Sequence, residues 1–449
     1  MAKKRHIIGS IAVALPLLLA VSACAPGGSA ASSTQSAVSK DLTTKPVTIK
    51  MLDYFQGDES KWMDASIAGF EKKHPNITIK RTVQDWGQVM NTLNLRLADA
   101  NGPDIATVNN GWQSMGTLAQ GGRIMNLDAY SDLYGWKKEI PNTMLRQLEF
   151  TPDGKEMGTG SLYATPTARS SLIGLYYNKA ILDKAGVAVP KTLDDFEKAL
   201  AQLKSAGQIP IAYGSVQKDS ATALLFSVQD LYGTAKNIGD FVYSAGNVKM
   251  GDTGITQAAT TIKKWADSGY FTPNYQGLQY ADALDQFMHG KGAFRFEYTG
   301  ALPFTDAQRQ TYGYIQLPQA DSSKVVGTGS PSGNLSISTK SKNPDAAAAF
   351  LDYLANKQTA QLAVDRGYLP LLHSGLKTPS NNPEFASEVK GQQALDANNG
   401  YVPYFDWSTP TMLDTMGTQL QLLLAGRATP QQLTDAGQKD YEAFQASRK

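Results

Sequence analysis

Cysteine occurs once in 449 residues, at Cys24, and histidine only four times. A single thiol excludes an internal disulfide and any cysteine-rich metal site. No H-E-x-x-H, G-x-S-x-G or P-loop pattern is present, so the sequence marks of a zinc protease, a serine hydrolase and a nucleotide hydrolase are all missing. After the N-terminal 23 residues, no apolar stretch approaches the roughly 18 residues that a membrane span needs. Neither sign of charge is massed. The chain has 42 basic and 40 acidic side chains with no sustained Lys/Arg block, which argues against nucleic acid as a partner. No short-period internal repeat is visible.

The N-terminus gives the lone cysteine a role. Lys3, Lys4 and Arg5 precede a run from Ile7 to Leu19 that is apolar apart from Gly9 and Ser10, and the small residues Ser22 and Ala23 lead directly into Cys24. This is the layout of a cleavable export signal over residues 1–23, too short for a stable span. Val21-Ser22-Ala23-Cys24 resembles the bacterial lipobox, which implies lipidation of Cys24 and an extracellular protein held at the cytoplasmic membrane by acyl chains. Residues 24–45 are rich in Ser, Ala, Thr, Gly and Gln and are expected to form a flexible tether. Cleavage removes Lys3, Lys4 and Arg5, leaving 39 basic against 40 acidic side chains, a formal charge of −1.

About 400 residues follow, too many for one core, so two lobes are expected. Val47–Leu52 reads as a strand, Ser60–His74 as a helix burying Trp62, Ile67 and Phe70, and Ile77–Val83 as a second strand. A helix near 88–99 and a short strand at Asp104–Val108 complete a strand–helix–strand–helix–strand order. That order specifies an α/β sheet with crossover helices. It recurs downstream: Leu172–Tyr177 is extended, Thr192 caps a helix carrying Phe196, Leu200 and Leu203 on one face, and Ile209–Tyr213 reads as a strand.

Gly174-Leu175-Tyr176-Tyr177-Asn178-Lys179 through Gly186, followed by Pro190-Lys191-Thr192-Leu193-Asp194-Asp195-Phe196, resembles a segment of the extracellular solute-binding proteins of bacterial carbohydrate ABC importers, the maltodextrin-binding-like family. Pro103-Asp104-Ile105, Gly160–Pro166, Phe287–Phe294 and Asn343–Ala347 match further family stretches in register. The resemblance implies a two-lobed, type II periplasmic-binding-protein-like α/β fold with an interlobe cleft. Carried onto this chain, lobe one covers 46–165 and 325–380, and lobe two covers 170–315 and 385–449. Hinge segments fall near 165–169 and 314–324. It also implies a small-molecule carbohydrate ligand, a membrane permease with a separate ATPase subunit, a monomeric receptor, and no cofactor, metal or catalytic residue.

A sugar presents flat C–H faces and a rim of hydroxyls, which suit aromatic rings and directional polar groups respectively. Candidates are taken from predicted strand ends, where open α/β sheets bind ligands: Tyr54 after the first strand, Trp86 after the second, and Asn109, Asn110 and Trp112 after the third. For the tryptophans, core packing competes with ligand contact; for the asparagines, a turn or helix cap does. Arg169 on a hinge segment serves either a ligand bond or an interlobe ion pair. Glu297 and Tyr298 stand where the family has glycines and a tryptophan, so Tyr298 is expected to supply the ring and Glu297 a hydroxyl acceptor. Tyr401–Trp407 packs four aromatics and one carboxylate into seven residues, and Asp406 with Trp407 is the favoured pair. Ser330–Asn334 is read either as a cleft turn or as a plain turn.

Two other classes remain in view. A glycoside hydrolase would cast Asp406 and Glu297 as its carboxylate pair, and a peptide or amino-acid receptor would need an ion pair such as Arg169 with Asp406. A zinc-binding lipoprotein is disfavoured because His74, His289 and His373 lie on different predicted elements.

Overall fold

A computed structural model describes residues 38–448 apart from 317, 318, 321–323, 372–375 and 380. Cys24, the export signal, residues 24–37 of the tether and His373 lie outside the described residues.

Alternating burial builds the first sheet. In β1 (Val47–Asp53), Val47, Ile49 and Met51 are buried while Thr48 and Lys50 face solvent. β1 pairs in parallel with β2 (Ile77–Val83), Val47 opposite Ile77, and with β3 (Ile105–Thr107). The strand Leu335–Ile337 closes the other edge, antiparallel to β3. Between β1 and β2 runs α1 (Gly57–Lys73), longer at its start than expected. Trp62 and Phe70 are fully buried beneath it, and Trp62 donates its indole N–H to the Thr359 carbonyl at 3.1 Å. α2 (Trp86–Ala98) is capped by Asp85, whose Oδ1 accepts from the Gln88 N–H.

The second sheet is organised by the ten-residue strand Arg169–Asn178. Phe294–Tyr298 pairs with one edge of it. On the other edge its first half pairs with Gly327–Ser332 and its second half with Tyr312–Ile315, all antiparallel. Tyr401–Val402 extends the sheet in parallel beside Gly327 and Thr328. Thr192 caps the helix Leu193–Ser205 as expected, and Phe196, Leu200 and Leu203 are buried on its inner face. Phe196 packs edge-on against Trp265 and Phe294 at 5.5 and 5.0 Å.

The expected strand Ile209–Tyr213 is reduced to bridges from Ile211 to Phe271 and Phe294. Pro210 has no N–H to extend the ladder.

The connections between the sheets differ from expectation. Tyr314 and Ile315, expected at a hinge, pair inside the second sheet with Tyr176 and Leu175. Instead Thr165 faces Leu335 and Arg169 faces Ser332. The return to the first sheet therefore starts at Gly333 rather than near 325. A third segment lies alongside: Arg169 also bridges to Pro370, Ser170 N–H donates to Leu369, and Leu371 N–H donates to Ala168. Three chain segments thus run side by side between the sheets, with Arg169 in the middle one.

The body begins inside the segment expected as tether, at Val38 rather than after residue 45. Val38 and Leu42 pack against the core. Ser39 N–H donates to Asp345 Oδ1 at 3.3 Å, and the Asn76 amide donates to the carbonyls of Thr43 and Lys45 at 2.7 and 3.1 Å.

Gly174 sits mid-strand beneath the Tyr314 ring, and a Cβ there would lie 2.2 Å from the Tyr314 hydroxyl. Gly174→Ala is expected to cost about 1–3 kcal/mol through overpacking, read as a lowered urea midpoint at unchanged m-value.

Candidate functional site

The candidate residues gather where the strand ends of the first sheet meet the three connecting segments. Tyr54 follows β1. Its ring stands edge-on to the half-buried Trp86 at 4.9 Å and 78°, and its hydroxyl lies near Ser332 on the returning strand. Burial, then the charge of Glu59, pushes the Tyr54 phenol above its ordinary pKa, so it stays protonated.

After β3 the asparagines serve the loop. Asn110 is fully buried, its Oδ1 accepting from Asn334 Nδ2 at 2.7 Å, while its own Nδ2 has no partner among the described residues. Asn109 is half-buried; its N–H reaches the Ser114 hydroxyl, and its carbonyl accepts from Met115. Gly111 adopts φ 83° and lies face to face with Trp407, where a Cβ would sit 2.4 Å from the Trp407 Cβ. Only glycine fits both demands. Trp112 turns inward: it is 1% exposed, edge-on to Phe150 and Phe444 at 5.1 and 5.0 Å, with the Arg448 guanidinium 4.9 Å from its ring. Core packing, rather than a face offered to the cleft, describes this residue.

Arg169 makes an ion pair with Glu59 and lies over Tyr368, 4.2 Å from the ring centroid. Burial works against its charge, and Glu59 together with Tyr54 and Tyr368 more than offsets that, raising the guanidinium pKa. The pair ties a connecting segment to α1. Glu297 departs from expectation. It is buried, Oε2 accepts from Arg295 Nε at 2.9 Å and Nη2 at 2.7 Å, and Oε1 accepts from the Tyr298 N–H at 2.9 Å. Both oxygens are engaged and no surface remains for a ligand hydroxyl. The Arg295-x-Glu297 spacing carries this signal, because residues two apart share one face of a strand.

Tyr298 is half-buried and lies nearly parallel to Tyr404, at 6.1 Å and 27°; Tyr404 in turn is 4.8 Å from Trp407. Asp406 and Trp407 occupy the short helical turn Phe405–Ser408 and are 7% and 4% exposed. The Tyr404 hydroxyl lies near Ser171 and Ser330, and burial pushes its pKa above the ordinary value. Sequence reasoning did not single out Tyr404, Glu59 or these serines, although the Ser330–Asn334 stretch had been marked. Among the described residues no group of three or more His, Cys, Asp or Glu is placed to hold a metal.

Behind this row lies Asp230, the last residue of the helix Lys218–Asp230. Its Oδ2 accepts from the Thr328 N–H at 2.6 Å, and its Oδ1 has no partner among the described residues. Burial pushes this carboxyl from 3.8 up to about 7, opposed by the Thr328 bond. Because the folded pKa is raised, Asp230 favours folding fully below about pH 4, and that contribution falls away as pH climbs toward 7. The loss approaches about 4 kcal/mol above pH 7. Asp230→Asn should therefore gain melting temperature on wild type between pH 4 and 8. The difference between the two profiles isolates Asp230 from Glu388, whose carboxyl is also raised by burial.

Residues 56–361 match the family described as bacterial extracellular solute-binding protein. The multiple sugar-binding protein of Streptococcus mutans is 25% identical over 342 residues, spanning 74% of this chain and 77% of that one. The galactooligosaccharide-binding protein of Bacillus subtilis is 22% identical over 388 residues, spanning 84% and 85%. A solved chitin oligosaccharide binding protein superposes with TM-score 0.75 at 22% identity, covering 89% of this chain and 99% of the other. The shared fold is the two-lobed α/β architecture.

Proposed function

The chain belongs to the bacterial extracellular solute-binding proteins, and we propose that it captures a sugar, an oligosaccharide of malto-, isomalto- or α-galacto-type, in the cleft between its lobes. The observation that carries this reading is which groups are already consumed. The charges near the strand ends are spent internally, in Asp53 with Arg81, Arg169 with Glu59, and Glu297 with Arg295. The uncharged groups around the strand ends are rings, hydroxyls and amides: Tyr54 and Trp86 from the first sheet, the half-buried Tyr298 and Tyr404 from the second, Ser332 between them, and Asn109 beside. A neutral, polyhydroxylated ligand matches that set, its C–H faces on the rings and its hydroxyls on the polar groups.

A peptide would ask for a free cation and a free anion. With Glu297 engaged by Arg295, Asp406 also loses the carboxylate proposed as its partner in hydrolysis. The named relatives are binding proteins. On this reading sugar-driven closure about the connecting segments converts occupancy into a shape that a membrane permease reads, with ATP hydrolysis on a separate subunit. The receptor acts as a monomer. Diacylation at Cys24 holds it at the outer face of the cytoplasmic membrane, and among the described residues no helix is long and apolar enough to cross a membrane.

Calorimetry against malto-, isomalto- and α-galacto-oligosaccharides, with peptides in parallel, tests the ligand class. Saturable binding of a sugar without release of new reducing ends is expected. Peptide binding or steady turnover would overturn the reading. Trp86→Ala should weaken sugar binding at least about tenfold, the loss of a ring with a solvent face beside Tyr54, with melting temperature retained. Cys24→Ala should move the protein from the membrane fraction to the medium; a variant still sedimenting with membranes rules out the anchor.

A further inference from the structure

We propose that the turn of the hairpin at 149–162 is a clasp that holds the body of the first sheet to the body of the second and favours the arrangement that encloses a sugar. For its effect on affinity the proposal rests on the sugar-binding reading. It adds to that reading a contact, made by residues outside the ring row, that sets how readily the lobes close.

The hairpin belongs to the first body. Glu149 and Phe150 pair antiparallel with Leu162 and Ser161, the Leu127 N–H donates to the Leu162 carbonyl at 2.7 Å, and Thr165 just beyond faces Leu335 of the first sheet. Inside the turn, Gln120 Nε2 donates to the Gly154 carbonyl at 2.8 Å, and a Cβ on Gly154 would lie 2.4 Å from Gln120 Cγ. The turn is thus seated on its own body before it reaches the other.

The second body grips the turn at two places. The Tyr243 ring, just past the helix Ala235–Val242, covers Gly158, where φ is 86° and a Cβ would lie 2.4 Å from Tyr243 Cδ1. Arg146, from the segment leading into the hairpin, donates from Nε to the Gly158 carbonyl at 3.1 Å and sets its guanidinium 4.3 Å from the Tyr243 ring centroid. Three residues before Gly158, the Lys155 carbonyl accepts from Arg448 Nη1 at 2.8 Å. Arg448 directly follows the helix Pro430–Ser447. The two grips are joined on their own side: Gln445 Nε2 donates to the Ser244 hydroxyl at 2.6 Å, and Phe241 stacks on Tyr441 at 4.2 Å.

Arg146 and Lys155 are exposed, and Tyr243 and Arg448 half-buried, so the contact parts without opening either core. Arg448 Nε is buried without a partner among the described residues, a desolvation cost that release returns. In the same arrangement Gly111 of the first body lies against Trp407 of the second, with no room for a Cβ between them. The clasp therefore forms when the bodies are drawn together, and its contribution lessens the work a sugar does in closing them.

The test removes each grip. Sugar affinity is measured by calorimetry, and the radius of gyration without sugar by small-angle scattering, on the full chain as wild type, Tyr243→Ala, Arg448→Ala and the double variant. Each single variant is expected to weaken affinity about threefold and the double variant about tenfold, with a radius of gyration no smaller than wild type's. Wild-type or tighter affinity in the double variant overturns the clasp while leaving sugar binding intact. If Tyr243→Ala misfolds, Arg448→Ala decides alone, since its side chain ends a helix and its acceptor is backbone. If the wild type binds no sugar, the sugar-binding reading falls and scattering decides the clasp: a double variant more expanded than wild type upholds it, and equal radii overturn it.

Discussion

Everything in the molecule hangs on a three-segment bridge of backbone hydrogen bonds centred on Arg169. Ser332 faces it on one side and Pro370 on the other, so the strand that opens the second sheet is held by two returning segments before it leaves the first. The bridge is short and pleated, which makes it stiff in extension and compliant in twist. The side chains on it are small or already paired: serines at 170, 171, 330 and 332, and an arginine bound to Glu59. A floor of this kind tolerates relative rotation of the sheets without burying an unpaired charge.

The pieces of the fold with local causes were legible in the sequence. β1, β2 and the flanking helices follow from alternation and helical periodicity, and the Thr192 cap from a Thr-x-x-Asp pattern; all lie within a residue or a few of expectation. Pairings between distant segments were not legible. Thr165 meets Leu335 and Arg169 meets Pro370 across some 170 to 200 residues, and no periodicity carries that information. Trp112 is covered by Phe444 and Arg448 from the far end of the chain, so its strand-end position alone could not separate cleft from core. Glu297 is the opposite case, because its partner Arg295 is two residues away and the alternation of a strand already joins them. Val38 and Leu42 were too few to outweigh a polar neighbourhood, yet two apolar side chains and a handful of backbone bonds suffice to hold that segment to the body.

The polar groups around the bridge divide into two kinds. Charges are matched in pairs, yet among the described residues Arg169 Nε and Nη1, Asn110 Nδ2 and Asp230 Oδ1 are all buried without a partner. An unmatched buried charge is far more costly than an unmatched amide or protonated carboxyl. The unsatisfied capacity of these groups is what water or hydroxyls can meet.

Burial of the tryptophans has an optical consequence. Trp62, Trp112, Trp136, Trp265 and Trp407 are each 4% exposed or less, leaving Trp86, edge-on to Tyr54, as the indole with a substantial solvent face. Indole emission depends on the polarity around the ring, so five of the six fluorophores form a nearly constant background. A ligand entering beside Tyr54 changes the environment of the sixth. The chain thus carries an intrinsic spectroscopic probe at one edge of its cleft, with no label needed to watch the site fill.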